Sequence, residues 1–308
     1  KCKTKAVISL PRHNAAFCKA CFTTFVHEQV ARAIKSFKMF TPADRILVAV
    51  SGGKDSLALW HILFKLGYRA DALYVKLGIG SYSEESHRKV QHYADTVAAA
   101  HGAKLIVHVV EQEAGAGIRE LATVLHRPTC STCGTIKRYQ FNRAAVEQDY
   151  DVMATGHNLD DEAARLLGNV LHWQEEYLDK QSPTLPASVE GFAKKVKPLC
   201  RLSEREIAAY AVVNRIDYIV EECPMAKGSK MILYKEVLNR LETESPGTKQ
   251  RFYWGFLEKQ TKPEPATESM AEKDQRTLHP CTTCGQPTTA EICTYCKMMA
   301  KAKTATPR

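Results

Sequence analysis

Apolar and polar positions in the middle of the chain alternate between two periods. Four short runs are continuously apolar and rich in β-branched residues, as buried strands are; they span residues 45–50, 70–77, 104–110 and 151–155. Four longer segments repeat apolar residues at helical spacing, and they span residues 54–66, 84–101, 134–149 and 159–171. This alternation predicts an α/β fold in which a parallel sheet is covered by helices on both faces.

The two ends of the chain depart from this pattern, which indicates separate modules. Residues 1–24 contain three cysteines, and residues 25–257 hold the α/β core domain. Residues 258–278 are polar with two prolines, which is typical of a linker. Residues 279–308 combine four closely spaced cysteines with a basic tail. We therefore expect a core domain flanked by two small cysteine-rich modules.

Composition adds the cellular setting. Of 308 residues, 44% are hydrophobic and 25% are charged, as expected of a globular protein in water. The sequence shows no run of about 18 apolar residues and no signal-peptide pattern, so we expect a cytoplasmic protein without a membrane partner. The formal net charge of +9 fits a nucleic-acid partner and fits an ordinary basic enzyme equally well.

The eleven cysteines are more informative than the charge. Eight of them form Cys-x2-Cys pairs that begin at Cys18, Cys130, Cys281 and Cys293. A secreted disulfide framework fits poorly with such a long chain, so the tight pairs indicate metal binding or redox chemistry. Cys200 has apolar neighbours and no cysteine nearby, which predicts a simple buried side chain.

The hexapeptide Ser-Gly-Gly-Lys-Asp-Ser at residues 51–56 lies between a predicted strand and a predicted helix. Glycines permit a tight turn and close approach of a ligand, and the first N–H groups of a helix attract phosphate. The motif is neither a Walker A loop nor a G-x-G-x-x-G motif. An ordinary turn capped by Ser51 or Asp55 is the alternative interpretation. The whole hexapeptide in this context favours phosphate binding.

This motif resembles the PP-loop of the ATP pyrophosphatases, enzymes that adenylate a substrate and release pyrophosphate. The resemblance implies a doubly wound parallel sheet of the adenine nucleotide alpha hydrolase type, with ATP at the loop. Lys54 would offset phosphate charge, backbone N–H groups near Gly52 and Gly53 would hold oxygens, and Asp55 would help to hold Mg²⁺. The ATP-binding residues implied here are Ser51, Gly52, Gly53, Lys54, Asp55 and Ser56.

A second motif, Gly-His-Asn-Leu-Asp-Asp at residues 156–161, ends the fourth predicted strand and opens a helix. Ligand sites of open α/β sheets lie outside the carboxyl ends of strands, so this motif belongs on the same edge as residues 51–56. A well-capped helix, with Asn158 as the cap, explains the acidic residues alone. It does not explain their pairing with the glycine-rich loop.

The two motifs together resemble the tRNA-modifying branch of the PP-loop family, in which G-H-N-x-D-D is a signature. The Leu-Gly-Ile-Gly segment at residues 77–80 is similar to the 2-thiouridine synthetases of that branch. The resemblance adds Gly78, Gly80, Gly156 and His157 to the implied ATP-binding residues. It also makes Asp161 a candidate catalytic residue.

Three cysteines in the middle of the chain offer several chemistries. Cys130 and Cys133 precede Lys137, and Cys223 lies far away in sequence. They could form a redox pair plus one, hold three irons of a 4Fe-4S cluster, or bind a structural zinc with a fourth ligand. In the branch named above these positions hold a 4Fe-4S cluster, whose open iron carries the transferred sulfur. The resemblance therefore favours the cluster, with a persulfide route through the same cysteines as the alternative.

The C-terminal cysteines have the spacing of a four-thiolate zinc site. So short a module has no core of its own, and metal binding would supply most of its stability. The four expected ligands are Cys281, Cys284, Cys293 and Cys296.

The N-terminal cysteines, Cys2, Cys18 and Cys21, predict a second zinc site with a less complete ligand set. The family pattern calls for a fourth cysteine where this chain has Lys5, and a protonated lysine cannot replace a thiolate. Either His13 supplies the fourth ligand or the site is open.

The resemblance covers nearly the whole chain and implies an ATP-dependent tRNA sulfurtransferase. ATP and Mg²⁺ would adenylate the O2 atom of a uridine, and a sulfur species would displace AMP at C2 to give 2-thiouridine. Asp161 and Lys137 are candidate acid–base or positioning residues at the base, and Cys130 and Cys223 are candidate catalytic cysteines. Family similarity favours the T-loop uridine 54 over the wobble uridine.

The resemblance also implies partners. These are tRNA, a ubiquitin-like carrier with a C-terminal thiocarboxylate or a simple sulfide donor, and a second copy of the chain in a homodimer. Basic residues in 194–205 and 297–308 are candidate tRNA contacts, or alternatively a solvated charged face. Two other functions stay open from the residues: a PP-loop ligase such as lysidine synthase, and a zinc-ribbon nucleic-acid-binding protein with a decayed nucleotide domain.

Overall fold

The structure is a computed structural model that describes residues 2–188, 191–226, 228–261 and 278–305. Its centre is a six-stranded sheet with strand order β5-β4-β3-β6-β8-β7. Five of these strands are parallel neighbours, and β7 runs antiparallel to β8. The strands are β3 (Ile46–Val50), β4 (Ala70–Lys76), β5 (Leu105–Val109), β6 (Val152–Thr155), β7 (Thr184–Leu185) and β8 (Lys194–Val196).

Helices cover both faces of the sheet. The helices of the core domain are α1 (Lys19–Ser36), α2 (Lys54–Lys65), α3 (Gly80–Tyr93), α4 (Val110–Ala114), α5 (Ile118–Val124), α6 (Thr129–Glu147), α7 (Leu159–Leu171), α8 (Glu175–Asp179), α9 (Glu204–Val213), α10 (Lys230–Glu244) and α11 (Thr248–Thr261). Along β3, Ile46, Val48 and Val50 pack in the core that contains α1, α2 and α9, while Leu47 packs in the core that contains α5 and α6. The expected α/β fold with a parallel sheet buried on both faces is confirmed.

Each terminal module is a short hairpin joined to a helix or helical turn. The N-terminal hairpin pairs β1 (Ile8–Leu10) with β2 (Ala15–Phe17) and leads into α1. The C-terminal hairpin pairs β9 (His279–Pro280) with β10 (Pro287–Thr288) and leads into α12 (Thr294–Ala305). Both hairpins are too short to bury a core of their own, as the sequence indicates.

Several boundaries differ from the predicted ones. Helix α6 begins at Thr129, five residues before its predicted start. The sequence pattern missed these residues because Cys130-Ser-Thr-Cys133 is polar and carries no apolar periodicity. The predicted helix over 84–101 is α3 followed by a π-helical segment at Ala94–Ala98 and a 3₁₀ turn at Ala99–His101. Strands β7 and β8 were not predicted, because they are only two and three residues long and contain no continuous apolar run.

The predicted linker can be followed only at its ends. Helix α11 continues through Thr261, so residues 258–261 are helical, and residues 262–277 lie outside the described part of the chain. Among the described helices, none is both long and apolar enough to cross a membrane.

Candidate functional site

The glycine-rich loop joins β3 to α2 and is folded tightly against α3. Gly52 has a φ of 80°, and a Cβ atom there would lie 2.7 Å from the carbonyl oxygen of Ser86. Any side chain at Gly52 would therefore collide with backbone. Ser56 closes the loop: its Oγ accepts a hydrogen bond from the Ser51 N–H at 3.1 Å and donates one to the Gly53 carbonyl at 3.1 Å. The loop is preorganised, with the first N–H groups of α2 free to hold an anion.

The second motif packs directly on this loop. A Cβ atom on Gly156 would lie 2.9 Å from the Ser56 backbone nitrogen, so glycine is required where the two segments meet. Asn158 caps α7 by accepting hydrogen bonds from the N–H groups of Asp160 and Asp161, at 2.9 and 3.1 Å. Its Nδ2 donates to Asp55 Oδ1 at 3.2 Å. One side chain thus links the start of α7 to the start of α2.

A chain of alternating charges runs beside the loop. Lys54 Nζ lies 3.1 Å from an Asp55 carboxylate oxygen and 2.8 Å from Glu204 Oε1. Lys235 Nζ lies 3.1 Å from Glu204 Oε2 and 2.6 Å from Asp161 Oδ1. Glu204 is therefore shared between two ammonium groups, each of which also holds an aspartate of a sequence motif. The ammonium groups of Lys54 and Lys235 therefore lie beside the loop where a polyphosphate would bind.

These contacts set the protonation of the acid and the bases. Burial alone would raise the pKa of Asp161, but Lys235 and His157 hold it below its usual value. Burial works against the charge on Lys54, yet Asp55 and Glu204 raise the pKa of its ammonium group. Asp161 is therefore a carboxylate, and Lys54 is an ammonium, at neutral pH.

A cavity of about 370 Å³ opens at this edge of the sheet. Six residues of the two motifs line it: Ser51, Asp55, Ser56, Gly156, His157 and Asp161. Lys137 of α6 lines the same cavity, together with Tyr82 and Phe141. The structure thus brings together residues that are more than 80 positions apart in sequence. The size of the cavity suits a nucleotide-sized ligand.

Two glycines that the resemblance assigns to ATP binding, Gly78 and Gly80, do not line this cavity. A Cβ atom on Gly78 would lie 2.8 Å from Gly117 Cα and 2.7 Å from the Glu111 carboxyl group, so Gly78 permits close packing of two loops. Gly80 has a φ of 48° at the start of α3 and open space around it. The wall of the cavity at this strand end is Leu77 instead. The glycines shape the backbone beside the cavity without lining it.

The three middle cysteines meet next to the cavity. Cys130 and Cys133 lie in the first turns of α6, and the Cys130 thiol donates to the carbonyl oxygen of Met225, two residues after Cys223. Cys133, Cys223 and Tyr82 pack against the same buried cluster, and Tyr82 also lines the cavity. Burial is the main cause that raises the pKa of the Cys133 thiol. The sulfur-bearing site therefore adjoins the nucleotide cavity.

The spacing of these thiols differs from that of a single-ion site. Among the described residues, the groups of three or more candidate ligands whose atoms all lie within 4.8 Å are the two terminal cysteine sets. Cys130, Cys133 and Cys223 do not form such a group. Zn–S bonds of about 2.3 Å in a tetrahedron place sulfurs about 3.8 Å apart, whereas a four-iron cube holds its cysteines farther apart. The wider spacing disfavours a structural zinc and fits the cluster.

The C-terminal set fits zinc. The Cys284 and Cys293 sulfurs are 3.8 Å apart, and the Cys293 N–H donates to Cys281 Sγ at 3.2 Å. Burial opposes ionisation of Cys281, but the N–H groups of Cys293, Thr283 and Cys284 lower its pKa to about 6. A thiol that ionises so readily is a ready metal ligand.

The N-terminal set contains Cys2, Cys18 and Cys21, with sulfurs 3.4 Å apart along two of its edges. His13 does not join it. Its Nε2 lies 3.3 Å from a carboxylate oxygen of the buried Glu206, and its ring packs edge-on against Phe25. Within the described residues this set has three ligands, so the hypothesis that His13 completes it is not supported.

Two residues of the charge chain had no sequence signal. Lys235 lies on α10 and Glu204 begins α9, far from either motif, and each reads as an ordinary helical surface residue. Only the tertiary packing of α10 and α9 against α7 and α2 brings them to the loop.

Known protein families match this chain in its core domain and at its N-terminus. Residues 25–227 match the family described as PP-loop domain, and residues 1–23 match the N-terminal LIM domain of the 2-thiouridine synthetase TtuA. A tRNA-5-methyluridine(54) 2-sulfurtransferase of Thermotoga maritima is 42% identical over 100% of this chain and 98% of its own length. One with the same name from Thermus thermophilus is 45% identical over 96% of this chain and 89% of its own length.

The chain belongs to the tRNA 2-thiouridine synthetases of the PP-loop family.

A solved structure supports the fold of this synthetase. The U34-tRNA thiolase NcsA of Methanococcus maripaludis, solved with its 4Fe-4S cluster, superposes with a TM-score of 0.80 over 97% of this chain and 94% of that chain. At 23% identity this likeness shows the shared fold.

The basic segment at 194–205 is largely engaged within the synthetase. Lys197 Nζ pairs with the buried carboxylate of Glu162 at 2.7 Å, and the Arg201 guanidinium lies 4.9 Å from the Trp254 ring centroid. On α12, Lys297 and Lys301 are exposed one turn apart. Arg205 of the segment 194–205 is exposed as well, and residues 306–308 of the C-terminal segment lie outside the described part.

Proposed function

We propose that this chain is an ATP-dependent tRNA sulfurtransferase that replaces the O2 atom of the T-loop uridine 54 with sulfur. The observation that carries the proposal is the meeting of three motifs at one cavity. The glycine-rich loop, the Gly-His-Asn-Leu-Asp-Asp segment and Lys137 of α6, one turn after Cys133, converge there. Full-length similarity to sulfurtransferases named for position 54 favours that uridine over the wobble position.

The first half of the reaction is adenylation. The uridine O2 attacks the α-phosphorus of ATP, an O–P bond forms, and pyrophosphate leaves. Backbone N–H groups after Gly52 and the ammonium groups of Lys54 and Lys235 would hold the pyrophosphate charge as it develops. Asp55, which lines the cavity, would bind Mg²⁺. Glu204 keeps both lysines in place until the phosphates arrive.

The second half is displacement at C2. A sulfur nucleophile adds to C2, the C2–O bond breaks, and AMP leaves. Asp161 and Lys137 line the cavity from opposite elements, α7 and α6. As a carboxylate, Asp161 can accept the proton that N3 loses when O2 attacks phosphorus in the first half and return it to N3 as AMP leaves in the second. The Lys137 ammonium can stabilise negative charge on the base or the leaving phosphate.

The cysteines divide into two metal-binding types in this proposal. Cys130, Cys133 and Cys223 would hold a 4Fe-4S cluster, which supplies a binding place for the sulfur when present. The two terminal sets would each hold Zn²⁺. The chain itself contributes the placement: Tyr82 lines the nucleotide cavity and packs against the same buried cluster as Cys133 and Cys223, so the two reactants would be held side by side.

The partners follow from the chemistry. tRNA is the substrate, and the exposed lysines of α12 are candidate phosphate contacts. A ubiquitin-like carrier with a C-terminal thiocarboxylate is the proposed sulfur donor, with free sulfide as the alternative. The working form is proposed to be a homodimer.

The test is anaerobic thiolation of tRNA transcripts with ATP, Mg²⁺ and either sulfide or a thiocarboxylated carrier. Nuclease digestion and mass spectrometry would detect 2-thiouridine, and transcripts altered at position 54 or 34 would locate it. We expect ATP-dependent product that disappears with the position-54 change. Product that disappears only with the position-34 change would establish wobble thiolation, and pyrophosphate release without sulfur would indicate a non-thiolating ligase.

A further inference from the structure

We propose that the C-terminal cysteine module positions helix α6, and with it the sulfur-bearing site, through Tyr139 and Tyr295. This inference rests on the proposed function, because α6 carries Cys130, Cys133 and Lys137. It assigns to the module a task inside the catalytic domain, in addition to any contact with tRNA.

The first observation is an aromatic stack between the module and α6. The rings of Tyr139 and Tyr295 lie 3.6 Å apart between centroids and within 7° of parallel. Tyr295 follows the ligand Cys293 by two positions, and Tyr139 follows Lys137 by two positions. Tyr295 is 6% exposed, so this contact excludes water. The stack therefore links a zinc-binding turn to the catalytic helix over a few residues.

The second observation is polar contact at the same place. Gln140 Nε2 of α6 donates a hydrogen bond to the Tyr295 hydroxyl at 3.1 Å. Tyr139 and Cys284, one of the four C-terminal ligands, pack against the same buried cluster. Contacts around a ligand orient it and affect how firmly the metal is held.

The third observation is the division of α6 into two working faces. Lys137 and Phe141, one turn apart, line the nucleotide cavity. Tyr139, Gln140 and Asn142 face the module: Asn142 Nδ2 donates to Gln286 Oε1 at 2.6 Å. One face of α6 contacts the module, and the other face lines the nucleotide cavity. A shift of the module would move both faces together, because a helix turns as a rigid body.

The fourth observation is a shared hydrophobic core. Cys281, Cys293, Tyr295 and Met298 belong to one buried cluster with Ile136. Cys133 and Cys223 pack against the same cluster. Removal of the zinc would unfold the module, since its own core is negligible, and would open this cluster directly beside the sulfur-bearing site.

Two substitutions test the proposal with different severity. Tyr295→Leu removes the stack, whereas Tyr139→Phe keeps the stack and removes only one hydroxyl group. Tyr177→Leu is the control, because Tyr177 is 63% exposed on α8 and touches neither site. Each variant would be measured for zinc and iron content, for tRNA affinity, for thiolation, and for hydrogen exchange of residues 130–141.

We expect Tyr295→Leu to exchange the amides of α6 faster than the wild type, to retain less iron after reconstitution, and to thiolate about 10-fold more slowly. Its tRNA affinity should stay within about 2-fold. Tyr139→Phe keeps the stack and should therefore stay close to the wild type in α6 exchange, iron content and thiolation. The control should match the wild type in every readout.

A contrary pattern would overturn the proposal. If Tyr295→Leu weakened tRNA binding alone, with iron content and α6 exchange unchanged, the module would be a nucleic-acid-binding appendage only. Failure of the proposed function is separable, since it would show as wild-type protein that thiolates no tRNA. The exchange and metal measurements would still decide whether the module positions α6.

Discussion

The C-terminal and middle cysteine sets use the same ligand atom, the cysteine sulfur, for different purposes. The C-terminal set brings four sulfurs together, with one pair 3.8 Å apart, and buries Cys281 and Cys293. The middle set has three thiols at wider spacing, with Cys130 exposed, and it adjoins the nucleotide cavity. A closed set with no open position is suited to stability, and an open set beside a cavity is suited to chemistry. Number, spacing and exposure separate the two roles where residue type does not.

The largest expected effect comes from the open set. Replacement of Cys223 by alanine should lower thiolation at least about 100-fold, because the sulfur-bearing site loses one of its three thiols, while zinc content stays unchanged. The matched control is Cys200→Ala, which removes a fully buried thiol with no metal role. Thiolation assays and metal counts on both variants measure this. Equal loss in both would mean that the Cys223 effect is structural.

A smaller effect is expected from the charge chain that lies between the two motifs. Lys235→Met should lower kcat/KM for ATP-dependent thiolation about 10-fold to 100-fold, since a partly buried carboxylate and the phosphates lose a cation. Lys235 helps to keep the pKa of Asp161 low, so its removal raises that pKa and shifts the acid limb of the pH–rate profile to higher pH.

Lys235→Arg is the control for this prediction, because it keeps the positive charge. It should restore the position of the acid limb even if the rate recovers only in part. A Lys235→Met enzyme with an unmoved pH profile would show that Asp161 is not the group whose ionisation limits the reaction.

The two terminal sets should tolerate ligand loss unequally. Cys284→Ser should remove the C-terminal zinc and lower thiolation about 10-fold through α6. Cys21→Ser in the three-ligand N-terminal set should remove its metal and leave thiolation within about 3-fold, because the N-terminal module contacts α9 through Arg12 rather than the helix that bears the middle cysteines. Reversed magnitudes would mean that the N-terminal module governs the site.

The smallest effect on activity is expected at the N-terminal anchor, where Arg12 bonds to the buried Glu206. Burial opposes the charge on Glu206, but His13 and Arg12 bring its pKa below the usual 4.5. A lowered pKa stabilises the fold above pH 4.5, and this stabilisation is lost as the pH falls through the lowered value.

Glu206→Gln should therefore cost about 3 kcal/mol of unfolding free energy at pH 7, since it leaves a buried arginine unpaired. The difference from the wild type should shrink below pH 4.5. Denaturant unfolding at several pH values measures it, with thiolation at neutral pH nearly unchanged. A difference that stays constant down to pH 3 would show that the charge on Glu206 does not contribute.

Sequence reasoning predicted the parts of the site that follow local rules. The loop at 51–56 and the cap at Asn158 are short segments whose backbone geometry dictates residue type, so their roles were visible. The C-terminal ligand spacing was equally local. Lys235 and Glu204 were missed because their contact depends on how α10 and α9 pack on α7 and α2. The stack of Tyr139 on Tyr295 joins segments 156 positions apart, and neither tyrosine stands in a motif.

Gly78 and Gly80 show that the role of a glycine is hard to assign from sequence alone. The resemblance implies ATP-binding roles for them, and the structure adds that Gly78 lies where two loops pack without room for a Cβ atom. A glycine that is required by close backbone packing and one that is required by a ligand look alike in sequence. Only the neighbours of the missing Cβ distinguish them.

The most direct test of the two cysteine roles is a metal count with spectra on anaerobically reconstituted protein. We predict about four irons per chain, a broad visible absorption band, and zinc in the terminal sets that survives exposure to air. Cys223→Ala should lose the iron and the band and keep the zinc. A colourless protein whose middle cysteines hold zinc, or no metal after reconstitution, would contradict the account and leave the persulfide route.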